Sequence, residues 1–111
     1  MHIKPIDALE KLKKSDKRFI ELFQHGTLSV EMYKPHNVDL QLPHNRDEIY
    51  VITSGEASFD NNGIISKVNT GDFLFVPAYV SHRFYDFTTD FSTWVFFYGN
   101  VGGEASLNDD E

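Results

Sequence analysis

The feature that most constrains the fold of this chain is a series of short segments, rich in β-branched and aromatic residues, separated by turn signals from residue 18 onward. Ten Phe and five Tyr in 111 residues favour strands and supply much of a small core. His25-Gly26 and the Asp60–Gly63 stretch are typical of hairpin turns. The segments cover residues 19–24, 27–33, 40–44, 48–53, 57–59, 64–68, 73–76, 82–87 and 93–98. Their spacing predicts an all-β fold, a sandwich or closed barrel of about eight to ten short strands.

The first eighteen residues have a different pattern, which predicts a short helix. Pro5 suits the first turn, and Ile6, Leu9 and Leu12 recur at helical spacing. We therefore divide the chain into an N-terminal helix and lead-in (1–18), a β domain (19–99) and an acidic flexible tail (100–111). A solvated helix that covers one edge of the β domain is the favoured interpretation, with a docking site for an acidic partner as the alternative.

The charge distribution limits the classes of partner that this chain can bind. The net charge is −7, and six of the ten basic residues lie within residues 1–18, so the rest of the chain is acidic and does not suit nucleic acid. No apolar run has the length of a membrane span. The chain has no cysteine, which excludes disulfides and thiolate ligands and is compatible with a cytoplasmic protein.

Three residues form the candidate chemical site: His44, Glu48 and His82. Imidazoles and a carboxylate are ligands that suit divalent Fe, Mn, Ni, Zn or Cu. Two His and one carboxylate leave coordination positions open for water, oxygen or substrate. A hydrogen-bonded His44–Glu48–His82 cluster without metal is the alternative, because a buried Glu48 needs a cation or a polar partner.

The residues around these three resemble the two motifs of the cupin superfamily, most closely over residues 40–86. The first motif has two His separated by one residue, and Glu and Gly follow. His44, Glu48 and Gly55 fit the second His, the Glu and the Gly of that motif.

The second motif is matched in part. Gly71, Pro77 and His82 agree with it, while Tyr79 stands at a Gly position and Asp86 at an Asn position. The resemblance implies a small cupin_2-type protein, a jelly-roll barrel (double-stranded β-helix) with a divalent transition metal held by His44, Glu48 and His82.

The position of the first motif His departs from the family. It falls on Leu42, which cannot bind a metal, so at most three protein ligands are retained. If residues 40–44 form a strand with His44 inward, then Leu42 points inward and Gln41 outward, unless a bulge near Pro43 reverses them. We expect water or a substrate atom in the vacated position, and a histidine restored at Leu42 to tighten metal retention.

Several other side chains have weaker assignments. Tyr50 and Phe84 share strand parity with Glu48 and His82, and they are candidate substrate contacts or plain core residues. His2, His25 and His36 are expected at the surface. Trp94, Phe96 and Tyr98 form a second apolar face on their strand, which predicts a homodimer interface unless a lid or the N-terminal helix covers it.

Two functions remain open. The first is a metal-dependent enzyme of dioxygenase, isomerase or lyase type that acts on a small molecule within the barrel. The second is a non-catalytic barrel that binds a small ligand with weak or absent metal. Serine hydrolysis is disfavoured because no Gly-x-Ser-x-Gly motif occurs.

Overall fold

The computed structural model describes residues 1–105, and these form one helix and eight strands in two antiparallel sheets. The elements are α1 (Pro5–Ser15), β1 (Phe19–His25), β2 (Leu28–Tyr33), β3 (Asp47–Ser54), β4 (Glu56–Asn61), β5 (Ile64–Asn69), β6 (Phe73–Val76), β7 (His82–Tyr85) and β8 (Ser92–Tyr98). The predicted all-β class, the N-terminal helix and the number of strands are confirmed. Within residues 1–105, no helix combines the length and the hydropathy that a membrane span requires.

The sheets differ in size, and the main core lies between them. Five strands follow the order β1-β2-β8-β3-β6, and three follow the order β5-β4-β7. Buried residues alternate with more exposed ones along most of β3, β4 and β8, as a half-buried sheet requires. Tyr50, Ile52 and Val95 of the larger sheet thus pack with Phe59 and other residues of the smaller one.

Helix α1 covers part of the outer face of the larger sheet. Its buried residues Ala8 and Leu12 pack on Met32 of β2 and on Trp94 of β8. The helix therefore shields one end of the aromatic face predicted from the sequence. In β2 both faces are covered, because Met32 lies under the helix while Tyr33 belongs to the main core.

Residues 39–44 correct one prediction, because they have no strand structure. Asp39 is buried and its carboxylate accepts hydrogen bonds from the backbone N–H of Gln41 (3.1 Å) and from the Gln41 side chain (2.9 Å). These short-range bonds form an Asx-type turn in place of a ladder. Pro43 also lacks the N–H that a ladder uses.

The consequence is a reversal of the side-chain directions expected there. Leu42 is 76% exposed, and Gln41 instead points toward the core, where it accepts a hydrogen bond from the Tyr50 hydroxyl at 2.9 Å. The expectation that Leu42 faces inward beside His44 was wrong, because it assumed regular alternation.

The start of the predicted flexible tail is attached to the β domain. The N–H of Glu104 donates to the Asp47 carboxylate at 2.7 Å, and the N–H of Gly102 donates to the Asn45 carbonyl at 2.7 Å. Residues 106–111, with the remaining acidic groups of the tail, lie outside the described residues.

Candidate metal centre

The three predicted ligands come together although 38 positions separate His44 from His82 along the chain. Glu48 lies on β3 with its side chain turned inward, His82 opens β7 on the opposite sheet, and His44 lies in the segment that leads into β3. One ligand atom from each of the three lies within 4.8 Å of the others. This spread is small enough for one ion to contact all three after modest side-chain rotation.

Glu48 and His82 are the buried members of this triad. Glu48 is 1% exposed and His82 5% exposed. Nε2 of His82 lies 2.7 Å from Oε1 of Glu48, which is the separation of a buried ion pair. Both Glu48 oxygens and His82 Nε2 are buried, and apart from this contact they have no hydrogen-bond partner among the described residues. Buried polar atoms without partners are costly, and their convergence is the pattern expected around a cation.

The other ring nitrogen of His82 fixes its tautomer. Nδ1 lies 2.8 Å from the Val80 carbonyl oxygen, and a carbonyl only accepts, so Nδ1 carries the proton. In the neutral ring, Nε2 then presents its lone pair toward Glu48. A backbone carbonyl that orients a histidine in this way is the usual support of a metal-ligating imidazole.

Electrostatics act differently on the two histidines. Burial lowers the pKa of His44, outweighing the pull of Glu48, which favours the neutral, ligand-competent ring. Burial also opposes protonation of His82, but the adjacent Glu48 carboxylate prevails and raises the pKa of His82. Without a cation between them, His82 and Glu48 therefore tend toward an ion pair.

A hydrogen-bond network that the sequence did not reveal lies next to the triad. Asp39 accepts from the Tyr33 hydroxyl at 2.6 Å and from the Phe84 N–H at 2.9 Å, besides its two bonds from Gln41. Gln41 in turn accepts from Tyr50. Nothing near Asp39 in the sequence distinguishes it from an ordinary loop carboxylate, since its four donors come from three separate segments.

The two predicted substrate contacts are buried in the core. Tyr50 is 0% and Phe84 1% exposed, and their rings meet edge to face at 5.0 Å. Tyr50 also lies beside His82, with ring centroids 6.0 Å apart. Contact of a substrate with either ring stays a prediction.

A surface cavity of about 640 Å³ lies beside His44. Its walls come from residues 17–19, from the inward face of β2, from residues 40–41 and 44–46, and from Val95 and Phe97 of β8. We call it the mouth cavity. His44 lines it and packs against Phe97 with ring centroids 4.6 Å apart. Glu31 and Arg46, which the sequence analysis did not single out, also line it.

Two turn positions explain how the motif residues fit. Gly55 has a φ of +73°, and a Cβ there would lie 2.8 Å from the Phe91 Cα, so only glycine fits. Tyr79 has a φ of +67°, which explains why the motif has Gly at this position. The N–H of Tyr79 donates to the His44 carbonyl at 2.6 Å, so this strained turn fixes the backbone of a triad residue.

Comparison with known proteins agrees with this geometry. No family model matches the chain. An uncharacterized protein of Streptomyces coelicolor is 30% identical over 95 residues, which cover 83% of this chain and 90% of that protein. A cupin superfamily protein from Desulfitobacterium hafniense superimposes with a TM-score of 0.62 at 18% identity, covering 74% of this chain and 76% of that one. The protein has the cupin fold.

A second solved structure supports the assignment. An RmlC-like cupin from Shewanella frigidimarina superimposes with a TM-score of 0.61 at 17% identity, covering 84% of this chain and 79% of that one. At this identity the likeness concerns the fold alone. This chain and the Streptomyces protein belong to one family, and the cupin-type fold expected from the two sequence motifs is confirmed.

Proposed function

We propose that this cupin binds one divalent transition metal through His44, Glu48 and His82 and acts on a small molecule that enters from the mouth cavity. The observation that carries the proposal is that one ligand atom each of His44, Glu48 and His82 lies within 4.8 Å of the others, while the buried Glu48 and His82 atoms have no hydrogen-bond partner beyond their own 2.7 Å contact. The donor set, two imidazoles and a carboxylate, suits Fe, Mn, Ni, Zn or Cu.

Each part of the chain has a defined task in this proposal. Val80 holds His82 in the tautomer that leaves Nε2 free, and burial keeps His44 neutral. The aromatic rings of Tyr50, Phe59 and Phe84 pack against one another below the triad and exclude water from that side. When bound, the metal would supply Lewis acidity or oxygen activation for dioxygenase, isomerase or lyase chemistry.

Titration of metal-depleted protein with each of the five metals tests the binding step. We expect one ion per chain for at least one metal, together with a higher unfolding temperature, because a ligand that binds only the native state stabilises it. His44→Ala should weaken binding roughly tenfold or more. His25→Ala is the matched control, because His25 is exposed at the end of β1. Equal affinity in both variants would refute the site.

Binding of a small ligand without turnover is the second candidate. It is favoured by the network around Asp39, whose polar groups are already paired with one another and so hold a rigid wall rather than a reactive group. The two functions differ under chelation. A metal enzyme loses turnover when the metal is removed and regains it when the metal returns, whereas a binding module keeps its ligand throughout.

We further propose that this cupin forms a homodimer through the uncovered part of its larger sheet. Phe73 and Phe75 are 63% and 42% exposed on the outer face of β6. By strand register Ile49 adjoins Phe75, and Phe96 adjoins Ile49 on its other side. An apolar outer face of this kind marks an association surface. Phe75→Glu should convert dimers to monomers in light scattering. Ile64→Glu, at an exposed residue of the smaller sheet, should not, and a monomeric wild type would contradict the proposal.

A further inference from the structure

The mouth cavity combines an apolar wall with an unusual concentration of positive charge. Phe19, Val95 and Phe97 supply apolar surface. Lys17, Arg18 and Arg46 also line it, so three of the ten basic residues of the chain surround one cavity in a protein of net charge −7. Basic side chains that line a cleft focus their electric field into it and raise the local concentration of anions there.

Among the residues that line the cavity, Glu31 has the single carboxyl group. Burial, followed by repulsion from Glu21 and Glu48, raises the pKa of Glu31 to about 7, although Arg46 acts in the opposite direction. Glu31 is therefore about half protonated near neutral pH, and it cancels progressively less of the positive charge as the pH falls below 7. Its protonated form is also a hydrogen-bond donor toward the cavity.

Arg46 is held in place, as a recognition residue has to be. It donates from Nη1 to the Thr27 carbonyl, and its guanidinium carbon lies 5.9 Å from the centroid of the Phe97 ring. Phe97 also contacts His44, so one aromatic side chain links the cation to the candidate metal centre. A guanidinium has five N–H donors, and those not used on Thr27 remain for a carboxylate.

We propose that the mouth cavity binds a small organic carboxylate, with its carboxylate group at Arg46, Arg18 and Lys17 and its apolar body against Phe97 and Val95. This inference rests on the proposed function, because it names the ligand class of that site. A cavity of about 640 Å³ has the size of sites that enclose a whole small molecule. The apolar wall favours an organic acid over inorganic phosphate, because phosphate has no apolar part and would contact only the basic side chains.

Calorimetric titration with small molecules of similar shape but different charge, and with inorganic phosphate, tests the inference. The probes are phenylacetate, its neutral amide phenylacetamide, the cation phenethylamine and inorganic phosphate, each titrated into metal-loaded and metal-depleted protein. Phenylacetate should bind roughly tenfold more tightly than the amide, the size of effect that one charge-assisted contact gives. Added salt should weaken its binding, since exposed cations are screened.

Single substitutions test whether the preference for phenylacetate depends on the basic residues of the mouth cavity. Arg46→Gln should bring phenylacetate close to the affinity of the amide, and Arg18→Gln should act in the same direction. Lys67→Gln is the matched control, because Lys67 is exposed on β5, and it should change nothing. If Arg46→Gln unfolds, Arg18→Gln and the amide comparison still decide the matter.

Several outcomes would overturn the inference. They are the absence of phenylacetate binding, equal binding of the amide, phosphate binding as tight as phenylacetate, and a preference that survives Arg46→Gln and Arg18→Gln. The proposed metal site fails separately. If phenylacetate is preferred in the metal-depleted protein while no metal binds, the carboxylate site stands and the metal proposal falls.

Discussion

Glu31→Gln should stabilise the folded protein at neutral and alkaline pH and have no such effect in acid. Burial and the neighbouring carboxylates raise the pKa of Glu31 from an ordinary 4.5 to about 7, so the native state resists ionisation of this group. Below pH 4.5 the carboxyl group is mostly protonated in both the native and the unfolded state, so it does not lower the free energy of unfolding. Between pH 4.5 and 7 the native state holds more protons than the unfolded state, so stability falls as pH rises.

The magnitude follows from the size of that difference. A shift from 4.5 to about 7 corresponds to about 3 kcal/mol in an unscreened site. Because Glu31 is only partly buried, solvent screens the interaction, and we expect about 1–2 kcal/mol above pH 7.5. The amide removes the charge and keeps the shape, so the variant should recover this amount.

Urea denaturation at pH 4.5 and at pH 8 measures the difference. Glu56→Gln is the control, because Glu56 is exposed on β4, and its free energy of unfolding should follow the wild type at both values. A Glu31→Gln variant that is no more stable than wild type at pH 8, or equally stabilised at pH 4.5, would refute the reasoning.

Three further changes test other parts of the structure. Tyr33→Phe removes the 2.6 Å hydrogen bond to buried Asp39 and should cost about 2 kcal/mol in chemical denaturation, and an unchanged midpoint would mean that Asp39 is satisfied without it. Tyr79→Gly relieves a left-handed backbone and should raise stability by about 0.5–1 kcal/mol, whereas a loss would show that the tyrosine ring makes compensating contacts. Leu42→His should leave metal retention unchanged in elemental analysis, because this side chain is 76% exposed. Tighter metal retention in this variant would instead support the strand predicted for residues 40–44, in which residue 42 faces inward.

Much of the fold could be predicted because its signals are local. The turn at His25-Gly26 and the helix after Pro5 depend on neighbouring residues, and the structure places them as predicted. The triad could be predicted because Glu48 and His82 each stand at the expected spacing from other residues of the two cupin motifs.

The remainder depends on contacts between distant segments. Residues 39–44 have alternating leucines that favour a strand, but the Asp39 carboxylate holds the Gln41 backbone in a turn and turns Leu42 outward. The role of Asp39 itself comes from donors on β2, on β7 and at Gln41, which no local pattern reveals. The cations of the mouth cavity likewise meet only once the chain is folded.

Metal content is the most direct test of the account. Protein purified without a histidine tag, depleted with a chelator, reloaded and passed through a desalting column should contain about one divalent ion per chain, as three protein ligands suffice for a catalytic-type site. The His44→Ala variant treated in parallel should contain little, while the His25→Ala control should match the wild type. A wild type that retains no metal, or a His44→Ala variant that retains as much as wild type, would contradict the claim that His44, Glu48 and His82 form a metal site.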